Sequence, residues 1–133
     1  MLRKFLPGFI INRLQAALKL EVLYLLDNGY ISGEDMDKAV KNSLALRMPI
    51  VGLVQRFDFT GLDLTQQTLI NKSYTPPEAR DHSVVLEELI AKGRLGVKNG
   101  KGFYDYEGRS TEEILKERDL RLLNLRKFLQ EMN

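Results

Sequence analysis

No cysteine occurs among the 133 residues, which excludes disulfides, thiolate metal sites and cysteine nucleophiles and sits well with a reducing compartment, the cytoplasm being the simplest home. Histidine is almost as scarce. His82 stands alone, and one imidazole among scattered carboxylates lacks the ligand clustering that zinc or iron requires. As a general base His82 would need an orienting partner, and only Asp81 and Glu78 lie near it in sequence; the plainer reading is a residue that starts the following helix. No apolar run approaches the roughly 18 residues of a membrane span. Arg3 and Lys4 before an apolar stretch imitate a leader, but Pro7 and Gly8 interrupt it and Arg13, Lys19 and Glu21 follow at once, so Met1 to Ile11 reads as structure. Charge of one sign is lacking too: 20 basic and 18 acidic residues are interspersed, leaving no basic stripe to track a phosphate backbone and no expectation of a nucleic-acid partner.

What is present is the composition of an ordinary globular protein, 44% apolar and 29% charged, of a size suited to one domain. Its periodicity is helical. From Pro7 to Asn28, Ile11, Leu14, Leu18, Val22 and Leu25 recur at three and four, and Ile10, Ala17, Leu20 and Tyr24 add a second face, as in a central helix packed on two sides. A narrow polar line of Asn12, Gln15 and Lys19 remains. Asn28-Gly29 is the stop signal. A capping box opens the next helix at Ser32 with Asp35, stapled by Ile31 and Met36, and this helix is expected to end before Met48-Pro49. Ile50 to Arg56 reads as a short helix, and Thr60 with Asp63 as the cap of another over Gly61 to Asn71. Thr75-Pro76-Pro77 is an extended connection; helix resumes around Leu86, Leu89 and Ile90 and ends at Gly93. Ser110 with Glu113 caps a last long helix, with Leu115, Leu122, Leu125, Leu129 and Met132 on one face and the pairs Glu112–Lys116 and Glu117–Arg121 on the charged side. The expected fold class is all-α, with about six helices.

Two segments could carry chemistry. The glycine-rich run Gly96-Val97-Lys98-Asn99-Gly100-Lys101-Gly102 fails the Walker spacing and the dinucleotide fingerprint, and on turn chemistry alone it reads as a glycine-built turn. Asn12, on pattern alone, is an exposed polar residue of an amphipathic helix.

Pro7-Gly8-Phe9-Ile10-Ile11-Asn12-Arg13-Leu14 resembles the opening P-G-F-[IV]-x-N-R-[IL] of the C-terminal domain of 3-hydroxyacyl-CoA dehydrogenases, including 3-hydroxybutyryl-CoA dehydrogenases. Gly96 to Tyr106 resembles that family's closing G-x-K-[TS]-G-x-G-F-Y-x-Y, in the expected order and separation. Between them Asp37-Lys38-Ala39-Val40 and Gly61-Leu62-Asp63 also fit. Asn99 stands where threonine or serine is usual, Val51 to Asp58 matches only loosely, and the helix after Ser110 extends past the family's usual end.

The resemblance implies a helical, dimer-forming domain of the type shared with the C-terminal part of 6-phosphogluconate dehydrogenase, spanning residues 1–133 and forming one wall of an active-site cleft. On this view the NAD-binding Rossmann domain, with the catalytic histidine and its orienting glutamate, is absent from the chain, and Met1 is expected to be an engineered or truncated start. Asn12 matches a family asparagine that contacts the substrate near its reacting carbonyl, and Lys98 a lysine that approaches the cofactor NAD. A homodimer acting on 3-hydroxyacyl-CoA is expected, the chain alone being inactive. The alternatives are a free-standing helical interaction module and a related dehydrogenase of a free hydroxy acid such as gulonate.

Overall fold

The computed structural model describes residues 4–132; of the leader-like segment, Met1, Leu2 and Arg3 lie outside it. The described residues form seven α-helices and one 3-10 turn, with no strand but two isolated bridges, Gly96 to Lys101 and Lys101 to Asp105. The fold is all-α, as expected. The helices are α1 Phe9–Asp27, α2 Gly33–Asn42, α3 Leu44–Val51, α4 Gln55–Thr60, α5 Leu62–Ile70, α6 Val84–Ala91 and α7 Thr111–Glu131. None is long and apolar enough to cross a membrane. Two compact units result, one up to Ser83 and one from Val84.

In the first unit, α1 starts two residues later than Pro7, because Gly8 turns the chain in the left-handed region at φ 79°. It ends as Asn28-Gly29 predicts. Gly29, at φ 68°, lets its amide bond Leu26 O at 3.0 Å and that of Tyr30 bond Leu25 O at 3.0 Å, the pair that closes a Schellman motif. Gly93 ends α6 in the same way, through its own amide and that of Arg94. So does Lys72 after α5, at φ 47°, a left-handed position without glycine.

Ser32 caps α2 by accepting from the Asp35 amide at 3.1 Å, and the two side chains are bonded at 2.8 Å. Two boundaries differ from the sequence expectation. The helix expected to run to Met48 breaks at Ser43, whose hydroxyl donates to Ala39 O at 2.6 Å and competes with the helical amide ladder. A new helix, α3, then runs through Met48-Pro49; its exposed flank lets water satisfy the carbonyl that proline leaves unpaired. The Ile50–Arg56 helix does not form, since Gly52, at φ 73°, ends α3. Nor does Thr60 cap α5. It closes α4 by donating to Arg56 O, and Gly61, at φ 98°, occupies the cap position.

The last stretch of the first unit, 73–83, runs beside the second half of α1, in the same direction. Tyr74 donates to Glu21 at 2.5 Å, and Arg80 and Ser83 both reach Asp27. In the second unit the capping box at Ser110 is complete in both directions. Of the two expected surface pairs, Glu117–Arg121 forms, whereas Glu117 also takes Arg109 at 2.5 Å and Glu112 with Lys116 is not an ion pair among the described residues. The side of α7 away from the leucine face is not purely charged, since Leu120 and Leu123 stand exposed on it.

Little of this is covered. Ile114 is the only buried hydrophobic residue among the described ones, and the first half of α1, expected to be packed on two sides, leaves Phe9, Ile10, Ile11, Leu14 and Leu18 in solvent. Two separate compact bodies of 83 and 50 residues would together expose roughly 8,600 Å². The chain exposes 11467 Å². Among the described residues, the faces expected to be internal are therefore built but left largely exposed.

Candidate functional site

Asn12 sits one turn into α1, exposed, and its side chain takes part in no hydrogen bond among the described residues. No acidic residue occupies the first turn of α1, and Arg13 lies beside the Gly8 cap. The Asn12 amide therefore projects from the positive end of a helix dipole. Gln15 and Lys19 continue the exposed line.

Lys98 belongs to the second unit, in the 3-10 turn Val97–Asn99, and is likewise exposed, without an ion pair among the described residues. The loop that carries it is held by its own polar groups. The amide of Gly96 donates to Lys101 O at 2.7 Å, that of Gly102 to Tyr104 O at 2.8 Å, and that of Tyr106 to Gly100 O at 3.0 Å. Arg94 Nε donates to Gly102 O at 2.7 Å, and Lys101 pairs with Asp105 at 3.0 Å. These bonds hold the loop as a glycine-built turn, as its spacing suggests.

Two residues explain its sequence. Gly102 is buried, and a Cβ there would lie 2.8 Å from Gly96 Cα and 3.2 Å from Gly96 N; backbone meets backbone, and no flexible side chain can yield. Gly102→Ala is expected to destabilise the second unit by about 1–3 kcal/mol and to broaden or shift the loop amide resonances, while a variant with unchanged melting and unchanged resonances would contradict the close approach. Asn99, in place of the family's threonine or serine, is a clip across the end of α6: its Oδ1 accepts from the Leu95 amide at 3.1 Å and its Nδ2 donates to Gly93 O. One hydroxyl cannot span both groups with separate donor and acceptor atoms.

The carboxylates that fasten this unit are poised for acid. The Ser110 amide and then its hydroxyl hold Glu113 below the ordinary carboxylate range, and the Glu107 amide, then Lys101, do the same for Asp105. A carboxylate whose folded pKa is depressed contributes stability above its unfolded value, about 4.3 for glutamate, and loses it as the pH falls towards the folded value. Thermal melting of the second unit should therefore weaken below about pH 4, and Glu113→Gln should flatten that dependence. An equally steep acid limb in the variant would remove Glu113 from the account.

His82 contacts Asp81 at 3.1 Å with both side chains well exposed, and Glu78 is not its partner. Proton shuttling needs a held, partly desolvated imidazole, which this is not. No group of three or more histidines and carboxylates that could hold a metal exists among the described residues.

The polar cluster that sequence reasoning missed is the one around Asp27. Its side chain is 4% exposed and pairs with Arg80 at 3.0 Å; Ser83, 3% exposed, donates to its other oxygen at 2.8 Å; and the Arg80 guanidinium lies 5.6 Å from the centre of the Tyr24 ring. A signal existed. Asp27 is the last residue of α1, where the helix dipole disfavours an anion, so a compensating cation was required.

Residues 8–106 match the model of the family described as 3-hydroxyacyl-CoA dehydrogenase, C-terminal domain. The chain is 36% identical over 103 residues to the mitochondrial hydroxyacyl-coenzyme A dehydrogenase of Rattus norvegicus, covering 76% of this chain and 32% of that protein. It is 32% identical over 107 residues to a 3-hydroxybutyryl-CoA dehydrogenase of Mycobacterium tuberculosis, covering 74% and 34%. With the 5-formyl-3-hydroxy-2-methylpyridine 4-carboxylate 5-dehydrogenase of Mesorhizobium japonicum the identity is 26% over 130 residues, covering 98% and 42%. A crystal structure of a dehydrogenase of that pyridine compound, described as an NAD+-dependent dismutase, superposes with a TM-score of 0.78 at 27% identity over 94% of this chain and 40% of that one. The chain thus spans a third to two fifths of the length of these relatives. The last helix, α7, lies outside the family model, yet the match to the Mesorhizobium protein runs through it. On the strength of the match over residues 8–106, this chain belongs to the family of 3-hydroxyacyl-CoA dehydrogenase C-terminal domains.

Proposed function

We propose that this chain is the substrate-side, dimer-forming part of an NAD-dependent oxidoreductase that moves a hydride between NAD and the C3 hydroxyl or keto carbon of a 3-hydroxyacyl-CoA. The observation that carries this is the family match over both motif segments, combined with the uncommitted, exposed Asn12 amide in the first segment. Asn12 donates a hydrogen bond to the substrate oxygen at C3, and does so most strongly as that oxygen gains negative charge. The positive end of α1 acts in the same sense. Lys98 fits a pyrophosphate or ribose of NAD: it is a flexible cation with no ion pair among the described residues, on a loop held by its own hydrogen bonds. NAD, when bound, supplies the hydride acceptor, and it is held mainly by a Rossmann domain that also provides the histidine base and its glutamate. A second copy of the chain covers the apolar faces, in a homodimer.

A second reading has its own support. The match to the pyridine-carboxylate dehydrogenase includes α7, whereas those to the acyl-CoA enzymes cover about three quarters of the chain, so the substrate of the second reading is a small aromatic aldehyde without coenzyme A. A substrate panel on the complete protein separates the two, with 3-hydroxybutyryl-CoA, a free hydroxy acid of the gulonate type and the pyridine aldehyde followed by substrate loss and product identity as well as NADH formation, since a dismutase returns the hydride to a second aldehyde. Turnover of the thioester alone is expected, with none from these 133 residues by themselves, and Lys98→Ala should raise the KM for NAD while leaving that for the thioester. Turnover of the pyridine alone would replace the first reading by the second. Turnover of nothing would leave an interaction module.

A further inference from the structure

Along α7 the positions Leu115, Arg118, Leu122, Leu125, Leu129 and Met132 recur at intervals of three, four, three, four and three. A helix of this regular spacing has a seam with the period of a two-stranded coiled coil, Leu115, Leu122 and Leu129 at the a positions and Arg118, Leu125 and Met132 at the d positions. The seam is open: Leu122, Leu125 and Met132 are each more than half exposed. The one charge on it, Arg118, pairs at 2.8 Å with Asp119 at the seam's edge, so its stem can lie along the leucines while its head stays in water.

The flanking residues say what covers this face and in which direction. Asp119 and Arg126 hold the e positions, and Arg121 and Phe128 the g positions. A parallel copy would set Arg121 against Arg126 of its partner, twice, like charge on like. An antiparallel copy, with Leu122 level with Leu125 of the other helix, sets Asp119 against Arg126 on one side and Arg121 against the Phe128 ring on the other, each twice by symmetry. Neither Arg126 nor Lys127 makes an ion pair among the described residues, so the cationic end of the helix has charge to offer an acidic neighbour.

We propose that α7 is a self-recognition helix that pairs antiparallel with α7 of a second copy of this chain. The inference deepens the homodimer reading above and rests on it. Three heptads bury less than the roughly 1,200 Å² of the smaller stable interfaces, so the pair forms one part of a larger contact, and its share is to set orientation.

The absence of cysteine gives a clean background for the test. Leu122→Cys and Leu125→Cys versions of the full chain, one of them uniformly labelled with nitrogen-15, are mixed in equal amounts and oxidised, and the light, mixed and heavy products are sorted by mass. Antiparallel pairing makes the mixed 122-to-125 product dominate; a parallel pair gives like-to-like products and overturns the proposal. A dimer by sedimentation that shows no bridging at either position overturns the role of α7 but leaves the homodimer standing, whereas a monomer at all concentrations overturns both. As a second readout that leaves the seam intact, Asp119→Arg should weaken dimerisation by about tenfold, and Asp119→Arg combined with Arg126→Asp should restore it. Failure of the double exchange to restore dimerisation counts against the pairing.

Discussion

Asp27→Ala is expected to lower the free energy of unfolding by about 3 kcal/mol, towards the lower end of what breaking a buried ion pair costs. The carboxylate is almost wholly shielded while its partner Arg80 keeps about a quarter of its side-chain surface, so Arg80 can recover some hydration when left alone. The Ser83 hydroxyl cannot, and it would lose the acceptor 2.8 Å away. With both lost, the hold of 80–83 on the end of α1 would be weakened, while Tyr74 and Glu21 would still tie the start of that stretch. Arg80→Ala should be at least as damaging, because it strands the more deeply shielded charge. A double-mutant cycle between Asp27 and Arg80 should return a coupling well above that of an exposed pair, which is about 0.2–1 kcal/mol. Denaturant titration at one fixed protein concentration measures all of this, and a single-variant loss below about 1 kcal/mol would mean the pair holds nothing together.

For the complete dehydrogenase, Asn12→Ala should cut kcat by about a hundredfold, the scale of losing one donor to a developing oxyanion. Because the Asn12 side chain is exposed and makes no hydrogen bond among the described residues, the same change should leave the melting temperature untouched; that contrast separates a contact with substrate from a structural part. Asn12→Asp should be worse than alanine, since it replaces a donor by an anion where negative charge accumulates. A kcat within about threefold of the parent for both variants would remove Asn12 from the chemistry.

The elements that could be read in advance were those written in neighbouring residues. The Ser32 and Ser110 caps, the Gly29 and Gly93 stops and the period of α1 and α7 all form within a few positions of their signals, and all are found. The break at Ser43 was hidden because a serine hydroxyl bonding back to Ala39 depends on a rotamer, not on a pattern. Pro49 misled because a lost amide donor and a clash with the carbonyl four residues back disfavour a helix without forbidding it, and α3 continues through it. Lys72 adopts a backbone that usually signals glycine, and nothing local to it gives warning. For the site, glycine spacing sufficed to identify the 96–102 loop as a turn, but the identity of Asn12 and Lys98 as candidates came only through family resemblance, because an exposed amide and an exposed ammonium have no periodicity to betray them. The Asp27 cluster was missed for want of one question about which cation repairs an anion at the wrong end of a helix.

The uncovered area described for the fold has a thermodynamic corollary. If folding is completed only when two copies meet, the midpoint of a melt is set by mass action as well as by structure, and diluting the sample shifts it downwards. Two laboratories heating the same polypeptide at different strengths would then disagree about its robustness while both being right, and any ranking of variants holds only at a shared molarity.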